Sequence, residues 1–332
     1  MCQQTIDVRK MISPSTLVSH IEWLSQARIL CVGDLMLDRF VYGEVERTSP
    51  EAPVPILAIE RQSVMLGGVG NVARNLISIG ARATLLSVVG DDEVGRNLTQ
   101  MVGEEDRIEP YLLVEPGRPS TEKTRFVAGG QQLLRTDRET RHWISEQSAE
   151  NLLRMAEDII PECDVLVLSD YAKGILTDEL CQALIKRARA ENKPVVVDPK
   201  GSDYTCYRGA SIITPNRREL GAATGGVVGT DGEIIATGRA MIEQLEIDAL
   251  LVTRSQDGMT LISSDGRVEH LPAQAREVFD VSGAGDTVVA TLASALAKGV
   301  DLIEAAALAN VAASVVVAKS GTAVVYAADL LH

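Results

Sequence analysis

Residues 280–286 read Asp-Val-Ser-Gly-Ala-Gly-Asp, and their types and spacing suit one kind of chemistry. Gly283 and Gly285 let the backbone approach a ligand with no Cβ in the way. Apolar residues follow at 288/289, 292 and 295/296, which is helical spacing. The motif therefore stands at a helix entrance, where first-turn N–H groups lack helical acceptors and favour negative charge. Asp286 adds a proton acceptor at the same spot. Donors for a developing anion beside a base are what phosphoryl transfer to a hydroxyl requires. The alternative is a structural turn with a capping Asp. Val278, Phe279 and Val281 are β-formers, so a strand is expected over 277–281, giving way to the helix.

A second glycine-rich stretch, Gly67-Gly68-Val69-Gly70-Asn71, precedes another apolar-periodic run. Its glycines could let a polyol lie flat on backbone, and Asn71 offers a donor and an acceptor. No Gly-Lys-Ser/Thr follows, so this is not a Walker A loop, and it is not a GxGxxG fingerprint. Thr214-Pro215-Asn216-Arg217-Arg218-Glu219 reads by itself as a helix start with an acidic first turn. Lys123, Arg125, Arg135, Arg138 and Lys173 are the pieces from which a local anion pocket could be built.

These residues need elements to place them. Strand-like runs fall at 28–32, 84–89, 164–168, 194–197, 211–214, 249–252 and 277–281. Helical patterns fall near 70–79, 94–103, 146–159, 177–190, 232–245, 286–298 and 301–318. This alternation predicts an α/β fold, a mostly parallel sheet in a three-layer α/β/α arrangement. Polar residues repeatedly follow the strand runs: Asp34, Asp170, Asp198, Asn216 and Thr253. Ligands of open parallel sheets bind outside the carboxyl ends of the strands, so these five point to a shared site. Two stretches break the rhythm. Residues 39–66 are β-like and proline-bearing, hence edge structure. Residues 121–137 read as a hairpin turning at Gly129-Gly130. Together they predict a small inserted β lid.

The chain has 332 residues, 45% of them hydrophobic and only 3% aromatic. That favours Val/Ile strands and Ala/Leu helices over an aromatic-rich sandwich. No apolar run is long enough to span a membrane, and the polar start lacks a hydrophobic signal core, so a cytoplasmic protein is expected. Five scattered cysteines without CxxC spacing, and isolated histidines, argue against a disulfide framework or a zinc site. A net charge of −14 argues against nucleic-acid binding.

The 280–286 heptapeptide closely resembles the second signature of the ribokinase-like (PfkB) carbohydrate kinases. Ser282 stands where most members have Thr, and the hydroxyl is kept. The resemblance covers roughly 28–331 as one kinase domain, with 1–27 as an N-terminal extension and lid segments at about 39–66 and 121–137. It implies ATP and Mg²⁺ as cofactors and Asp286 as catalytic base, with Gly283, Ala284 and Gly285 cradling the transferred group. Asp34, Gly67, Gly68 and Asn71 would hold sugar hydroxyls. Asn216 and Glu219 would serve the Mg²⁺–nucleotide phosphates, Glu219 through water. Thr253 and Gly258 would belong to the nucleotide loop, where Ser255 replaces a family glycine, and Asn310 would line the adenine pocket. Asp280 and Ser282, with backbone around Val316, Lys319 and Gly321, would form a monovalent-cation site for an ion such as K⁺. The lid would double as a homodimer contact.

Four stretches narrow the resemblance: 32–39, 49–55, 169–174 and 252–255. Together they are similar to the kinases of bacterial heptose-phosphate metabolism. These phosphorylate O1 of D-glycero-D-manno-heptose 7-phosphate on the route to ADP-heptose and lipopolysaccharide. Lys173, Arg135 and Lys123 would then meet the phosphate the substrate already carries. Because the chain ends directly after the kinase-like part, a stand-alone kinase is expected. Rival readings are a PfkB kinase for ribose, fructose or a hexose phosphate, a non-catalytic regulator on the same fold, and a dehydrogenase. The last is disfavoured by the missing GxGxxG.

Overall fold

Val/Ile/Leu runs too short for helices form the strands of a central sheet. The computed structural model describes residues 24–226, 228–274, 278, 280–319 and 323–331. The strands are β1 (Arg28–Gly33), β2 (Leu35–Thr48), β3 (Pro55–Gly68), β4 (Arg82–Gly90), β5 (Ile108–Glu115), β6 (Thr121–Ala128), β7 (Gln131–Arg138), β8 (Val165–Ser169), β9 (Val195–Asp198), β10 (Ile212–Ile213), β11 (Ala249–Thr253), β12 (Met259–Ser263) and β13 (Val268–Leu271). Nine of them lie in the order β13-β12-β11-β10-β9-β8-β1-β4-β5. All pairs from β11 to β5 are parallel, and β12 and β13 add an antiparallel edge.

Helices cover both faces: α1 (Val69–Ser78), α2 (Glu93–Gly103), α3 (Glu146–Ile159), α4 (Asp178–Ala190), α5 (Arg217–Thr224), α6 (Asp231–Leu245), α7 (Ala284–Leu296) and α8 (Leu302–Val317). Period-2 alternation splits the interior into two cores. Ile29 and Cys31 of β1 face one core with α1, α2, α7 and α8. Leu30 and Val32 face the other with α3, α4 and α6. The three-layer expectation holds, and so does the inserted lid. β3, β2, β6 and β7 form a separate four-stranded sheet, with β2 and β6 parallel at its centre. Gly129 and Gly130 turn the β6–β7 hairpin with positive φ at both positions, as a tight hairpin requires. The lid is rooted in the site: β1 passes through Asp34 into β2, and β3 runs through Gly68 into α1.

One expected element is absent. Val278, Asp280 and Val281 lie in no strand; Glu277 and Phe279 fall outside the described residues. Val278 is 61% and Val281 66% exposed. β-propensity expresses fit to a half-buried pleated surface, and no strand pairs with this segment. α7 is entered from a loop. The strands β5, β12 and β13 complete the architecture beyond the runs legible in sequence, and the helix start read at 214–219 opens the short helix α5.

Candidate active site

Asp286 lies in the first turn of α7, almost fully buried. One carboxylate oxygen, Oδ2, accepts from Asn71 Nδ2 at 2.6 Å, and Oδ1 accepts from the Tyr171 hydroxyl at 2.7 Å. Burial pushes its carboxyl up to about 6; the two donors pull it down, Asp38 pushes it up and Lys123 pulls it down. That sets an acid that is ionised at neutral pH yet basic enough to take a proton. Gly283 caps α7 at φ 79°, a left-handed conformation that spares a Cβ penalty only for glycine. The Ala284 N–H is used by the Val281 carbonyl at 3.3 Å. The expected Gly-Ala-Gly cradle thus narrows to the N–H groups of Gly285 and Asp286, which precede the first helical bond, Thr287 to Gly283. Gly285 is exposed, with nothing near its Cα substituent position. Thr287 Oγ1 also donates to Asn75 Oδ1 at 2.8 Å, tying α7 to α1.

The sugar side differs from expectation at one residue. Asp34 is fully buried behind the pocket wall. Its carboxylate accepts backbone N–H groups of Tyr171 at 2.7 Å, Lys173 at 3.0 Å and Ile175 at 3.3 Å. Asp34 organises the 171–175 loop and has no free face for a hydroxyl. Burial, then the neighbouring Asp170, raises its carboxyl. Asp38, four positions on, is buried at the root of the lid. It ion-pairs with Arg125 and is felt by both Asp286 and Lys123. Gly67 makes room for it, since a Cβ there would collide with the Asp38 carboxylate. Gly68, at φ 59°, passes so close to the Asp34 carbonyl that a Cβ has no space. Asn71 is fully buried, with its Oδ1 unpartnered.

Three cations were expected near the sugar. Lys123 sits on β6 opposite Asp38, with its ammonium 5.6 Å from the centre of the Tyr171 ring. Burial lowers its ammonium; Asp38 raises it and Lys173 lowers it further. Lys123 and Lys173 therefore share one environment. Lys173 is mostly buried and ion-paired with Glu139 at 2.7 Å. Burial pushes the Glu139 carboxyl up, but Lys173 and Arg141 outweigh it and the net shift is down. Arg118 holds the loop in place through the Lys173 carbonyl. Arg135, on β7, is half exposed and pairs with its own neighbour Asp137 at 2.9 Å. It stands at the edge of this group.

On the nucleotide side, Asp170, Asp198, Lys200, Asn216, Glu219, Thr253 and Gly285 line one cleft. Asn216 and Thr253 continue into a second, bounded by residues 217–218 and 254–257. The five polar strand-end residues follow the sheet order β11-β10-β9-β8-β1; Asp170, Asp198, Asn216 and Thr253 line the same cleft, and Asp34 is buried beside it. Asn216 and Glu219 form a capping box on α5. Glu219 Oε1 also takes Lys200 Nζ at 2.7 Å, so both oxygens are engaged. Burial, then Asp286 and Glu219, holds the Asp198 carboxyl well above its usual range. A cation would relieve that crowding, which suits a hydrated Mg²⁺. Ser255 adopts φ 53°, keeping the left-handed turn where the family has glycine. Gly258 donates to the Ser255 carbonyl at 3.1 Å. Asn310 is buried on α8 and donates to the Pro272 carbonyl at 2.8 Å. Asp280 Oδ1 accepts from the Ser282 N–H at 2.8 Å, closing a tight turn before α7. Lys319 pairs with Asp329, and Gly321 lies outside the described residues. Among the described residues, no group of three or more His, Cys, Asp or Glu is arranged to bind a metal directly, and no helix is long and apolar enough to cross a membrane.

Two residues in contact with this site were not singled out from sequence. Asp38 had a signal, since it lies in the same segment as Asp34. Tyr171 had none: its role depends on a bond across 115 residues of chain.

A family model described as pfkB family carbohydrate kinase matches residues 26–327. The bifunctional protein HldE of Paramagnetospirillum magneticum is 57% identical over 321 residues, covering 97% of this chain and 66% of that protein. Its namesake in Rhodospirillum rubrum is 52% identical over 308 residues, covering 93% and 62%. The chain thus spans somewhat less than two thirds of these relatives. Arabidopsis thaliana ribokinase, solved with ribose and ATP, superposes with a TM-score of 0.71 at 19% identity, covering 92% of this chain and 98% of that one. Escherichia coli phosphofructokinase-2, solved with potassium, gives 0.75 at 19% identity, covering 92% and 96%. At such identities the likeness shows the fold.

Proposed function

This chain belongs to the pfkB family of carbohydrate kinases, and we propose that it uses ATP to phosphorylate O1 of D-glycero-D-manno-heptose 7-phosphate, giving the 1,7-bisphosphate for ADP-heptose and lipopolysaccharide synthesis. The observation that carries the substrate reading is the pair of desolvated lysines, Lys123 and Lys173, on the sugar side of Asp286. Burying two ammonium groups near each other is costly unless an anion joins them. A phosphate already on the sugar is such an anion. Glu139 neutralises Lys173 in its absence.

In this reading O1 points to Asp286, which accepts the hydroxyl proton as O1 attacks the γ-phosphorus in line. The N–H groups of Gly285 and Asp286 meet the charge that builds on the transferring group. Asp38 takes sugar hydroxyls, and Asn71 fixes the base while its free Oδ1 faces the same region. Asn216, Thr253 and the 254–258 turn border the nucleotide, with Asn310 towards the base. Mg²⁺, when bound, neutralises the β/γ-phosphates; Asp198 and Glu219 stand beside its place, Glu219 through water. The Asp280–Ser282 turn is the proposed seat of a monovalent cation such as K⁺. Closure of the lid excludes water, a competing acceptor. Two lids meeting form the proposed homodimer.

The experiment is coupled ADP release across a sugar panel: heptose 7-phosphate, fructose 6-phosphate, fructose and ribose. A preference of at least tenfold in kcat/KM for the heptose phosphate is expected. A neutral sugar as best substrate overturns the reading, and the Lys173–Glu139 ion pair would then be the resting state of a pocket that takes no phosphate.

A further inference from the structure

Tyr171 connects the sugar-side lid and the base through its side chain and the buried wall through its backbone. Its hydroxyl donates to Asp286 Oδ1 at 2.7 Å. Its backbone N–H donates to Asp34 Oδ2 at 2.7 Å. Its ring lies under the Lys123 ammonium and lines the cleft that holds Gly285. Asn71 Nδ2 occupies the other carboxylate oxygen at 2.6 Å, so two donors on two oxygens fix the plane of the carboxylate. The residue is held on both sides: Asp170 Oδ1 accepts from the next N–H, Ala172, at 2.7 Å, and Ala172 sits at φ 53°. A strained, multiply anchored turn of this kind is retained where position matters.

We propose that Tyr171 is a positioning residue for the base: its hydroxyl holds the Asp286 carboxylate in the orientation and ionised form that accept the substrate proton. The inference rests on Asp286 acting as base. The donor stabilises the ionised carboxylate against several neighbours. Burial opposes ionisation first, Asp38 from β2 and Asp198 from β9 add negative charge, and Lys123 from β6 offsets part of it. The Tyr171 hydroxyl itself stays protonated, since burial and then the adjacent Asp286 raise it well above its ordinary range. It therefore remains a donor throughout the working pH range.

The test is Tyr171→Phe, which keeps the ring under Lys123 and removes only the hydroxyl. The pH profile of kcat/KM for heptose 7-phosphate, or for the best sugar of the panel, is measured at saturating ATP. Loss of one donor should move the acid limb up by about one pH unit. The rate at pH 6 should fall about fivefold and return to within a few-fold of wild type by pH 9, with nucleotide affinity unchanged. A loss that is uniform across pH, or an unmoved limb, overturns the proposal. Asp286→Asn separates the two readings: near-wild-type turnover there removes the base assignment itself. Carboxyl ¹³C NMR titration of Asp286 in the Phe variant reads the same shift without turnover. An unchanged midpoint in that titration also overturns the proposal.

Discussion

The base carries a stability cost that pH should reveal. Burial is the main reason the Asp286 carboxyl rises from the ordinary aspartate value of 3.8 to about 6. Between those values the folded protein holds more protons than the unfolded chain, so stability falls as pH rises through that window. Above it the ionised carboxylate costs roughly 1–3 kcal/mol. Asp286→Asn should lose turnover by several orders of magnitude while unfolding at higher urea than wild type at pH 8. The gain should vanish near pH 4. A denaturation midpoint difference that does not change with pH would contradict the desolvation argument. Asp34 and Asp38 make a second residue-scale contrast. Asp34→Asn places an amide donor against three backbone donors, so it should destabilise the fold by about 1–3 kcal/mol. Asp38→Asn should fold normally and lose about 10–100-fold in kcat/KM for the sugar. Both are measured by urea unfolding and steady-state rates. The sequence marked this segment through Asp34; that its carboxylate is taken up by three backbone N–H groups depends on the 171–175 loop folding back over it, which no local pattern shows.

At the scale of elements, periodicity served well where burial is one-sided. The helices near 70–79, 94–103, 146–159 and 177–190 appear within a residue or two of their expected limits, because their apolar faces each dock on the sheet. The lid hairpin was legible because Gly129-Gly130 can take the positive φ that a tight hairpin needs at both positions. At Val278, Asp280 and Val281 no strand forms, because β-formers without a pairing partner have no reason to extend. The Asn216–Glu219 box was read from residues alone as a helix start, and it is one; the same cap faces the cleft, so structure and function coincide there. The lid's own contribution is Lys123. Lys123→Met keeps most of the aliphatic stem over Tyr171 and removes the charge. It should raise KM for a phosphorylated sugar about tenfold or more, and leave KM for an unphosphorylated sugar within twofold. Equal effects on both would show that Lys123 supports the lid rather than reading the phosphate.

For the whole molecule, the question is what covers the lid. Elsewhere the apolar side chains are spent on two cores, one on each face of the main sheet. Among the described residues, the lid has no helix layer. Ile59 on β3 and Leu134 on β7 are each 56% exposed, and Val45, Val64 and Leu133 are exposed beside them. β3 and β7 are also the two edges of that sheet, and open edges invite pairing. A chain of net charge −14 gains solubility from its charge, and exposed apolar residues on the lid against that background support the proposed dimer contact there. A stable interface needs about 1,200–2,000 Å² in total, which two four-stranded lids facing each other can supply. Ile59→Asp with Leu134→Asp should therefore turn a dimer into a monomer in sedimentation equilibrium at micromolar concentration. Each buried charge would cost several kcal/mol at the contact and little in the monomer, where both positions are already wet. Because the same sheet carries Asp38 and Lys123, the monomer should also hold its sugar less tightly, while nucleotide affinity stays unchanged. A double variant that still sediments as a dimer would place the contact elsewhere and leave the lid a cover for the sugar alone.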